Sequence, residues 1–284
     1  MVILLAVGAA VGWGAADFFG GAFRRRTPVL VIVAVSELIG LVVVVPVLIA
    51  RGIPLPSNPR LLLACVAGIG VTVELALIYV ALSRGEGFIT APVGALGAAI
   101  AVTVGLVGGD PFSRLIAAGL LCALLGGGIS AWTSGGRAGT RSRLRSAAIC
   151  AGAAAGVATM LISFHAAGRV DPYWATALEH ASTAVSAAVI ALALTGRSLR
   201  QHLPDRAQLR GLALVAAVGV GGDLAYAAAS QKGALSIVSA ISSLYPLTTV
   251  ALGVVIQRQR AGRVQAAGIL LALTGAIALG TSAH

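Results

Sequence analysis

The chain is poor in charged residues, and this shortage is the first clue to its surroundings. Asp, Glu, Lys and Arg make up 10% of its 284 residues, against about 25% in a typical soluble domain. Hydrophobic residues account for 58% of the chain, and its mean hydropathy is +0.98. So few charges cannot cover a water-facing surface, which indicates that lipid surrounds most of the exterior.

Cysteine and aromatic residues are also scarce. Cys65, Cys122 and Cys150 lie singly in apolar segments, so we expect neither a disulfide framework nor a metal site. The net charge is +11, but no basic patch is interleaved with aromatics, so we expect no nucleic-acid binding. No nucleophile elbow or phosphate-binding loop occurs, and the sequence therefore predicts neither an enzyme nor a cofactor.

Long apolar stretches fill the rest of the sequence. About 20 apolar residues are needed to cross the hydrocarbon layer, and the polar breaks leave ten such stretches. The predicted spans are 2–22, 29–50, 61–83, 88–108, 114–133, 146–167, 173–195, 210–230, 234–256 and 264–282. We therefore predict an all-α polytopic membrane protein with ten transmembrane helices. Its first stretch is interpreted as a span and not as a cleavable signal peptide, and Pro92 and Pro246 predict kinks in spans 4 and 9.

The two halves of the chain resemble each other. Residues 114–126 match residues 263–275 at a constant offset of 149. This match indicates a duplication, with repeats at 1–133 and 146–284 joined by a basic linker at 134–145. Five spans per repeat is an odd number, so we predict that the second repeat is inverted in the membrane. Inverted repeats commonly place a substrate site near the midplane.

Arg and Lys residues are distributed unevenly among the loops. The loops after spans 1, 3, 5, 7 and 9 hold 15 of them, and the loops after spans 2, 4, 6 and 8 hold 5. Cytoplasmic loops carry the excess of Lys and Arg in membrane proteins. The distribution therefore favours odd-numbered loops in the cytoplasm and both termini outside, in a bacterial cytoplasmic membrane.

Five of the nine acidic residues lie inside the apolar stretches. They are Asp17, Glu37, Glu74, Glu179 and Asp223. A charged side chain at the membrane centre costs about 3 kcal/mol or more unless it faces a protein interior, a partner or water. The pattern therefore predicts a polar interior and a pathway along which something crosses the membrane.

Alternatives remain for the acids of the first repeat. Trp13 and Asp17 share one helical face, and Asp17 either lines the pathway or pairs at the interface with the arginines at 24–26. Glu37 and Glu74 lie near the middle of their spans, too far from either end to reach water. They are either protonated groups paired with hydroxyls, or pathway residues that exchange a proton during transport.

The leading candidate for the pathway, Asp223, lies in the second repeat. Asp223 and Tyr226 share a face at a spacing of three residues, and Asp223 corresponds nearly to Glu74 of the first repeat. Glu179 and His180 are consecutive, and an imidazole beside an acid is a candidate for titration near neutral pH. The alternative for His180 is a hydrogen-bonded core residue.

A stripe of serines in span 9 has two readings as well. Ser236, Ser239 and Ser243 follow each other at helical spacing, with Ser242 alongside. They predict either hydrogen bonds that hold helices together or a polar wall of the pathway.

Several short motifs resemble those of one transporter family. They are Gly12-Trp13-Gly14 with Ala16-Asp17-Phe18, residues 79–85, residues 242–249 and residues 265–268. With the duplication, they make the chain similar to EamA-type members of the drug/metabolite transporter superfamily. The resemblance implies ten helices in two repeats and secondary transport of a small metabolite or drug by alternating access, often as efflux.

The expected partners follow from this resemblance and from the buried acids. They are a small-molecule substrate, protons, the lipid bilayer and, in a homodimer, a second copy of the chain. The alternatives left open are a passive facilitator or channel and, from other classes, an intramembrane enzyme or a membrane scaffold.

One motif departs from the family. Relatives usually carry a Gly-Glu-Arg-like turn before the last helix of each repeat. Here those positions read Gly109-Asp110-Pro111 and Arg258-Gln259-Arg260, so the first turn keeps an acid and the second loses it.

Overall fold

The computed structural model describes residues 1–21, 27–83, 90–130, 140–196, 203–256, 258 and 262–282, and over these residues it is built of helices and their connections without a β-strand. The α-helices are α1 Val2–Gly21, α2 Val29–Ala50, α3 Leu63–Ser83, α4 Thr90–Val107, α5 Arg114–Ser130, α6 Thr140–Gly168, α7 Pro172–Thr195, α8 Arg206–Ser230, α9 Leu235–Ser242, α10 Tyr245–Ile256 and α11 Arg263–Ser282. A short 3-10 turn at Pro59–Leu62 precedes α3. The prediction of an all-α chain is therefore confirmed.

The helices follow the apolar stretches closely. In the part of the chain that the structure describes, seven segments are long and apolar enough to cross a membrane, and three shorter apolar helices accompany them. The largest difference in bounds is at α6, which begins at Thr140, six residues before the predicted start of span 6. The added turns contain arginines, which hydropathy counts against a membrane span although arginine is a good helix former.

Span 9 is broken into two helices. α9 ends at Ser242 and α10 begins at Tyr245, and Pro246 lies in the first turn of α10. A proline fits that position because the first turn of a helix needs no backbone N–H donor. Pro92 lies in the first turn of α4 for the same reason, so it starts a helix instead of kinking one.

Two acids outside the apolar stretches begin helices of the second half. The Asp171 carboxylate accepts a hydrogen bond from the Trp174 backbone N–H at 2.8 Å. Asp205 and Gln208 form a reciprocal capping box at the start of α8. Such caps satisfy backbone donors that have no partner within the helix, and they fix where α7 and α8 enter the apolar layer.

The helices pack as antiparallel pairs that join the two halves of the chain. α1 packs on α8, α2 on α7, α3 on α6, and α5 on α11. Glycines permit two of these approaches: a Cβ added to Gly12 would lie 2.9 Å from the Gly222 backbone nitrogen, and one added to Gly156 would lie 2.7 Å from the Gly70 carbonyl oxygen. Small residues that let backbones approach are the usual means of packing helices in lipid.

The α5–α11 pair is the tightest of these contacts. A Cβ on Gly126 would overlap the backbone nitrogen of Ala272, and a Cβ on Gly275 would overlap that of Ala123. The two helices therefore touch backbone to backbone, with no room for a side chain larger than hydrogen at either glycine.

Candidate functional site

A cavity of about 220 Å³ lies at the centre of the helix bundle. Helices α1, α2, α3, α6, α7 and α8 surround it, together with the break between α9 and α10. Seven of the eight residues selected from the sequence line it: Trp13, Asp17, Glu37, Glu74, Glu179, His180 and Asp223. Residues from five predicted spans, three in the first repeat and two in the second, therefore meet at one place.

His180 lies among three carboxylates in this cavity. Its Nδ1 is paired with Glu37 Oε2 and lies 3.8 Å from Glu179 Oε2, while its Nε2 lies 3.3 Å from Asp223 Oδ2. The imidazole is 4% exposed. A single side chain of α7 thus connects acids that come from α2 and α8.

Gly40 of α2 makes room for this imidazole. A Cβ on Gly40 would lie 2.9 Å from Cε1 and 3.0 Å from Nδ1 of His180. Neither atom can withdraw easily, because His180 is buried and Nδ1 is held by Glu37. The sequence offered no reason to select Gly40, since nothing in the sequence indicates which glycine faces which helix.

Asp223 is held by an aromatic side chain from α1. The Trp13 indole Nε1 donates a hydrogen bond of 2.7 Å to Asp223 Oδ1. Both residues lie on helices whose backbones approach closely at Gly12 and Gly222. The close approach therefore brings the indole within reach of the carboxylate.

Tyr226 is the one selected residue that does not line the cavity. It is fully buried, and its hydroxyl donates to the Leu161 carbonyl oxygen at 2.7 Å and lies 3.1 Å from Ser239 Oγ. Its ring lies 5.3 Å from the Trp13 ring and stacks on Phe164 at 5.6 Å. The Tyr226 ring therefore packs against the Trp13 ring and helps to hold it in place.

Three polar residues of the site were not selected from the sequence. Thr183 donates to Glu179 Oε1 at 2.8 Å, and Ser36 and Tyr245 line the cavity. Thr183 follows Glu179 by four residues, so helical spacing alone could have found it. Tyr245 stands at the helix break, which hydropathy does not locate.

The serine stripe divides between the two roles that the sequence left open. Ser236, Ser239 and Ser242 are fully buried, and Ser242 donates to the Ala6 carbonyl oxygen at 3.3 Å. Ser243, which ends the stripe, lines the cavity. Most of the stripe therefore packs α9 against its neighbours.

One end of the bundle is closed by side-chain contacts. At the end where α2 stops and α7 starts, the Arg51 guanidinium donates to the Tyr173 hydroxyl and lies 5.0 Å from the centre of its ring. Beside it, Trp174 Nε1 donates to the Ile53 carbonyl oxygen at 3.2 Å.

The loop before α5 closes the same end. Asp110 Oδ2 accepts a hydrogen bond of 2.7 Å from the Ser236 backbone N–H at the start of α9. His165 Nε2 lies 3.1 Å from the Gly233 carbonyl oxygen. The acid that the first turn motif retains thus holds two loops together; of the second motif only Arg258 is described, and positions 259–260 lie outside the described residues.

The cavity extends toward the opposite end. Its lining residues on α1 run from Trp13 to Gly20, near the end of that helix, and those on α2 run from Val29 to Glu37, at its beginning. The arginines at 24–26, which the sequence offered as alternative partners for Asp17, lie outside the described residues. The site is therefore a polar cavity that is closed at one end of an apolar bundle and continues toward the other.

Comparison with known proteins identifies a family domain in the second half of the chain. The model of the EamA-like transporter family matches residues 145–281. This part of the chain is an EamA-like transporter domain. A crystal structure of a protein with 19% sequence identity superposes with a TM-score of 0.79 and covers 99% of each chain. At that identity the likeness shows a shared fold alone, and no curated protein matches the chain.

The EamA match and the apolar helices together define the class of protein. The chain is an integral membrane protein of the lipid bilayer, and the match over residues 145–281 indicates a membrane transporter of small solutes. Members of the EamA family are transporters and not enzymes.

Proposed function

We propose that this protein, with its EamA-like domain, is a secondary transporter that moves a small organic metabolite or drug out of the cell by alternating access. Ten transmembrane helices form two inverted five-helix repeats, 1–133 and 146–284, and the cavity between them binds the substrate. The observation that carries the proposal is the cavity itself, which is lined by five carboxyls, closed at one end and extended toward the other.

The helix pairs support the two-repeat arrangement. Let α1, α2, α3 and α5 correspond to α6, α7, α8 and α11, and α4 to the broken pair α9–α10. The α1–α8 contact then corresponds to the α6–α3 contact, while α2–α7 and α5–α11 correspond to themselves. Such a pattern is expected of two units related by a two-fold axis in the membrane plane.

Individual contacts support the same relation. Gly126 approaches Ala272 and the Gly268 carbonyl oxygen, while Gly275 approaches Ala123 and the carbonyl oxygen of residue 119. Each member of the first set corresponds to a member of the second at an offset of 149, the offset of the matching sequence segments.

The same comparison refines the pairing of the two acids. Gly156 approaches the backbone of Gly70 and Glu74, and Gly12 approaches that of Val218 and Gly222. The position that corresponds to Glu74 is therefore Gly222, one residue before Asp223. One residue turns a side chain by about 100° on a helix, so the two acids face the cavity from inequivalent directions.

The charge distribution supports an orientation and a direction. The cavity extends toward the loop between α1 and α2, which belongs to the loops rich in Arg and Lys. If those loops lie in the cytoplasm, the cavity faces the cytoplasm and is ready to load a substrate for export. The contacts around Arg51 and Asp110 then form the closed outer gate.

The carboxyls also support coupling to protons. Acids within a membrane commonly mark proton relays and ion pathways. We propose that Asp223 and Glu74 exchange protons for substrate, and that Glu37, Glu179 and His180 share the charge of the site.

The test is transport in proteoliposomes under an imposed pH gradient, with a solute chosen by thermal-shift screening of the purified protein. Wild-type protein is expected to accumulate the solute against its concentration gradient. Asp223→Asn and Glu74→Gln are expected to abolish accumulation or remove its dependence on the pH gradient, because neither amide exchanges a proton.

A passive facilitator gives a different result. It brings the solute to equal concentration on both sides whatever the pH gradient, and that outcome would rule out secondary active transport. Wild-type pH dependence in both variants would remove Asp223 and Glu74 from the proton pathway.

A further inference from the structure

We propose that the cavity binds a small organic cation, with an ammonium group held between His180 and the carboxylate of Asp223 and an apolar body in the rest of the cavity. The inference rests on the proposed function, because it names the class of substrate that the transporter would carry. It is argued from the charge, the hydrogen-bonding groups and the apolar wall of the cavity.

The charge of the wall favours a cation. Five carboxyls line the cavity, and its described lining contains no Arg or Lys, so His180 is the one group there that can carry a positive charge near neutral pH. Buried carboxylates without a counter-charge are costly. A bound ammonium group supplies a counter-charge to the carboxylates that it contacts, whereas a bound carboxylate would place like charges side by side.

The hydrogen-bonding groups favour a donor. Trp13 Nε1 and His180 Nδ1 are directed to carboxylates. Of the hydroxyls at the wall, those of Ser36 and Ser243 donate to backbone carbonyl oxygens of their own segments. Ionised carboxylates only accept hydrogen bonds, while an ammonium group has three donors and no acceptor. Each ionised carboxylate of the wall is therefore an acceptor, and the donors of Trp13, Ser36 and Ser243 already have partners, which suits an ammonium ligand.

One atom points to where that group lies. His180 Nε2 is buried, and it has no hydrogen-bond partner of acceptable geometry among the described residues, although Asp223 Oδ2 is 3.3 Å away. In the neutral ring, Nδ1–H donates to Glu37 and Nε2 is an acceptor. In the protonated ring, Nε2–H points to Asp223 instead, so the amine takes the place of that proton. An ammonium nitrogen beside this pair can donate one N–H to Nε2 and another to Asp223.

The rest of the cavity wall indicates the chemical character of the remainder of the ligand. The Trp13 ring is held at the cavity wall by Asp223 and Tyr226, and an aromatic face attracts a cation. Much of the remaining lining is aliphatic: Val29, Ile32, Val33, Val71, Leu75, Val157, Leu161 and Val215. An amine with a compact apolar body satisfies both parts of the wall.

Three probes with the same ring and different charges test the inference. Binding of phenethylamine, 3-phenylpropionate and phenylalanine to the purified full-length protein is measured by calorimetry at pH 8. The amine is expected to bind at least about tenfold more tightly than the acid or the zwitterion. The acid lacks the charged hydrogen bond, and both carry a carboxylate that the acids of the wall repel; either effect weakens binding about tenfold. Equal or tighter binding of the acid or the zwitterion would overturn the inference.

Matched Asp→Asn variants locate the binding group. Asp223→Asn is expected to weaken phenethylamine binding about tenfold or more. Asp171→Asn is the control, because Asp171 caps α7 outside the cavity and Asn serves equally well as a cap. Both variants are first checked for wild-type melting behaviour. If Asp223→Asn does not pass, His180→Gln takes its place with the same expected loss. Undiminished affinity in the folded variant would contradict the assignment.

The pH dependence of phenethylamine affinity is an independent test, because the inference predicts its direction. Carboxylates become protonated as the pH falls and lose their attraction for the amine, so phenethylamine binding is expected to weaken from pH 8 to pH 5. Binding that strengthens or stays constant over this range would count against the inference.

A metal ion is the competing cation. Ligand atoms of Glu37, Glu179 and His180 lie within 4.8 Å of one another and could hold one. The binding measurement is repeated with Zn²⁺ in place of the amine. If the protein bound one Zn²⁺ ion and did not bind phenethylamine, the site would be a metal site and not a site for an organic cation.

Transport separates this inference from the proposed function. Phenethylamine that binds but does not cross proteoliposome membranes would contradict the transporter and leave the cation site intact. Uphill transport of 3-phenylpropionate without amine binding would contradict the cation site and leave the transporter intact.

Discussion

The α5–α11 pair and the helices around the cavity are both built from apolar, glycine-containing helices, but they pack in different ways. In both regions, helices from the two halves of the chain pack as antiparallel partners. At α5 and α11 the backbones touch at Gly126 and Gly275, and no acid lies between them. Around the cavity the backbones also approach at Gly12 and Gly222, but there the polar side chains of Trp13, Glu37 and His180 reach across between the helices.

The difference separates scaffold from site. Direct backbone contact leaves no space for a ligand, and it stabilises the fold through close packing. Polar side chains that meet across a cavity are costly in lipid, and they make sense where a solute or a proton is bound. Substitutions in the two regions should therefore have different consequences.

The largest effect on stability is expected at the α5–α11 contact. Gly126→Ala places a Cβ against the backbone nitrogen of Ala272, so the two helices must separate. Forcing atoms into a packed contact costs about 3 kcal/mol at the upper end of the usual range. Thermal unfolding of the purified protein in detergent measures this loss. The affinity of the folded fraction for phenethylamine should remain that of the wild type.

Gly221→Ala is the matched control for this prediction. A Cβ on Gly221 meets no atom within 4 Å, and Ala favours a helix over Gly by up to about 1 kcal/mol. It should leave the melting temperature unchanged or raise it. A loss in Gly221→Ala equal to that in Gly126→Ala would show that the effect comes from the glycine-to-alanine change itself and not from the contact.

A smaller loss of stability, together with a loss of binding, is expected at the cavity. His180→Gln removes the ring that pairs with Glu37 and faces Asp223. Hydrogen bonds to charged groups contribute about 2 kcal/mol. Amine affinity, measured by calorimetry, should fall together with the melting temperature. Normal amine binding in this variant would make His180 a purely structural residue and blur the distinction between the two regions.

The smallest effect is expected at the closed end. Asp110→Ala removes the acceptor of the Ser236 backbone N–H at the start of α9, and loss of such a cap costs about 1 kcal/mol. Asp110→Asn should retain most of this stability because its amide oxygen accepts the same bond. Unfolding curves of the two variants, measured side by side, test the assignment. Equal destabilisation by Ala and Asn would mean that the charge of Asp110, and not its hydrogen bond, holds the loops together.

The local part of the structure could be predicted from the sequence. Hydropathy depends on consecutive residues, so it located the helices with bounds close to those observed, except at α6 and in the broken span 9. The five acids stood out for the same reason, because a carboxylate in an apolar stretch is visible without any knowledge of packing. The offset of 149 between the two halves was also visible, since a duplication leaves its pattern in the order of residues.

The tertiary structure decided how those residues meet. It brought His180 to Glu37 and Asp223, and it turned Tyr226 away from the cavity to support Trp13. These outcomes depend on the rotation and register of helices that are distant in the chain, and the close approaches at their glycines set both. Composition determined that this protein has a polar interior within lipid, and packing alone determined which polar groups share it.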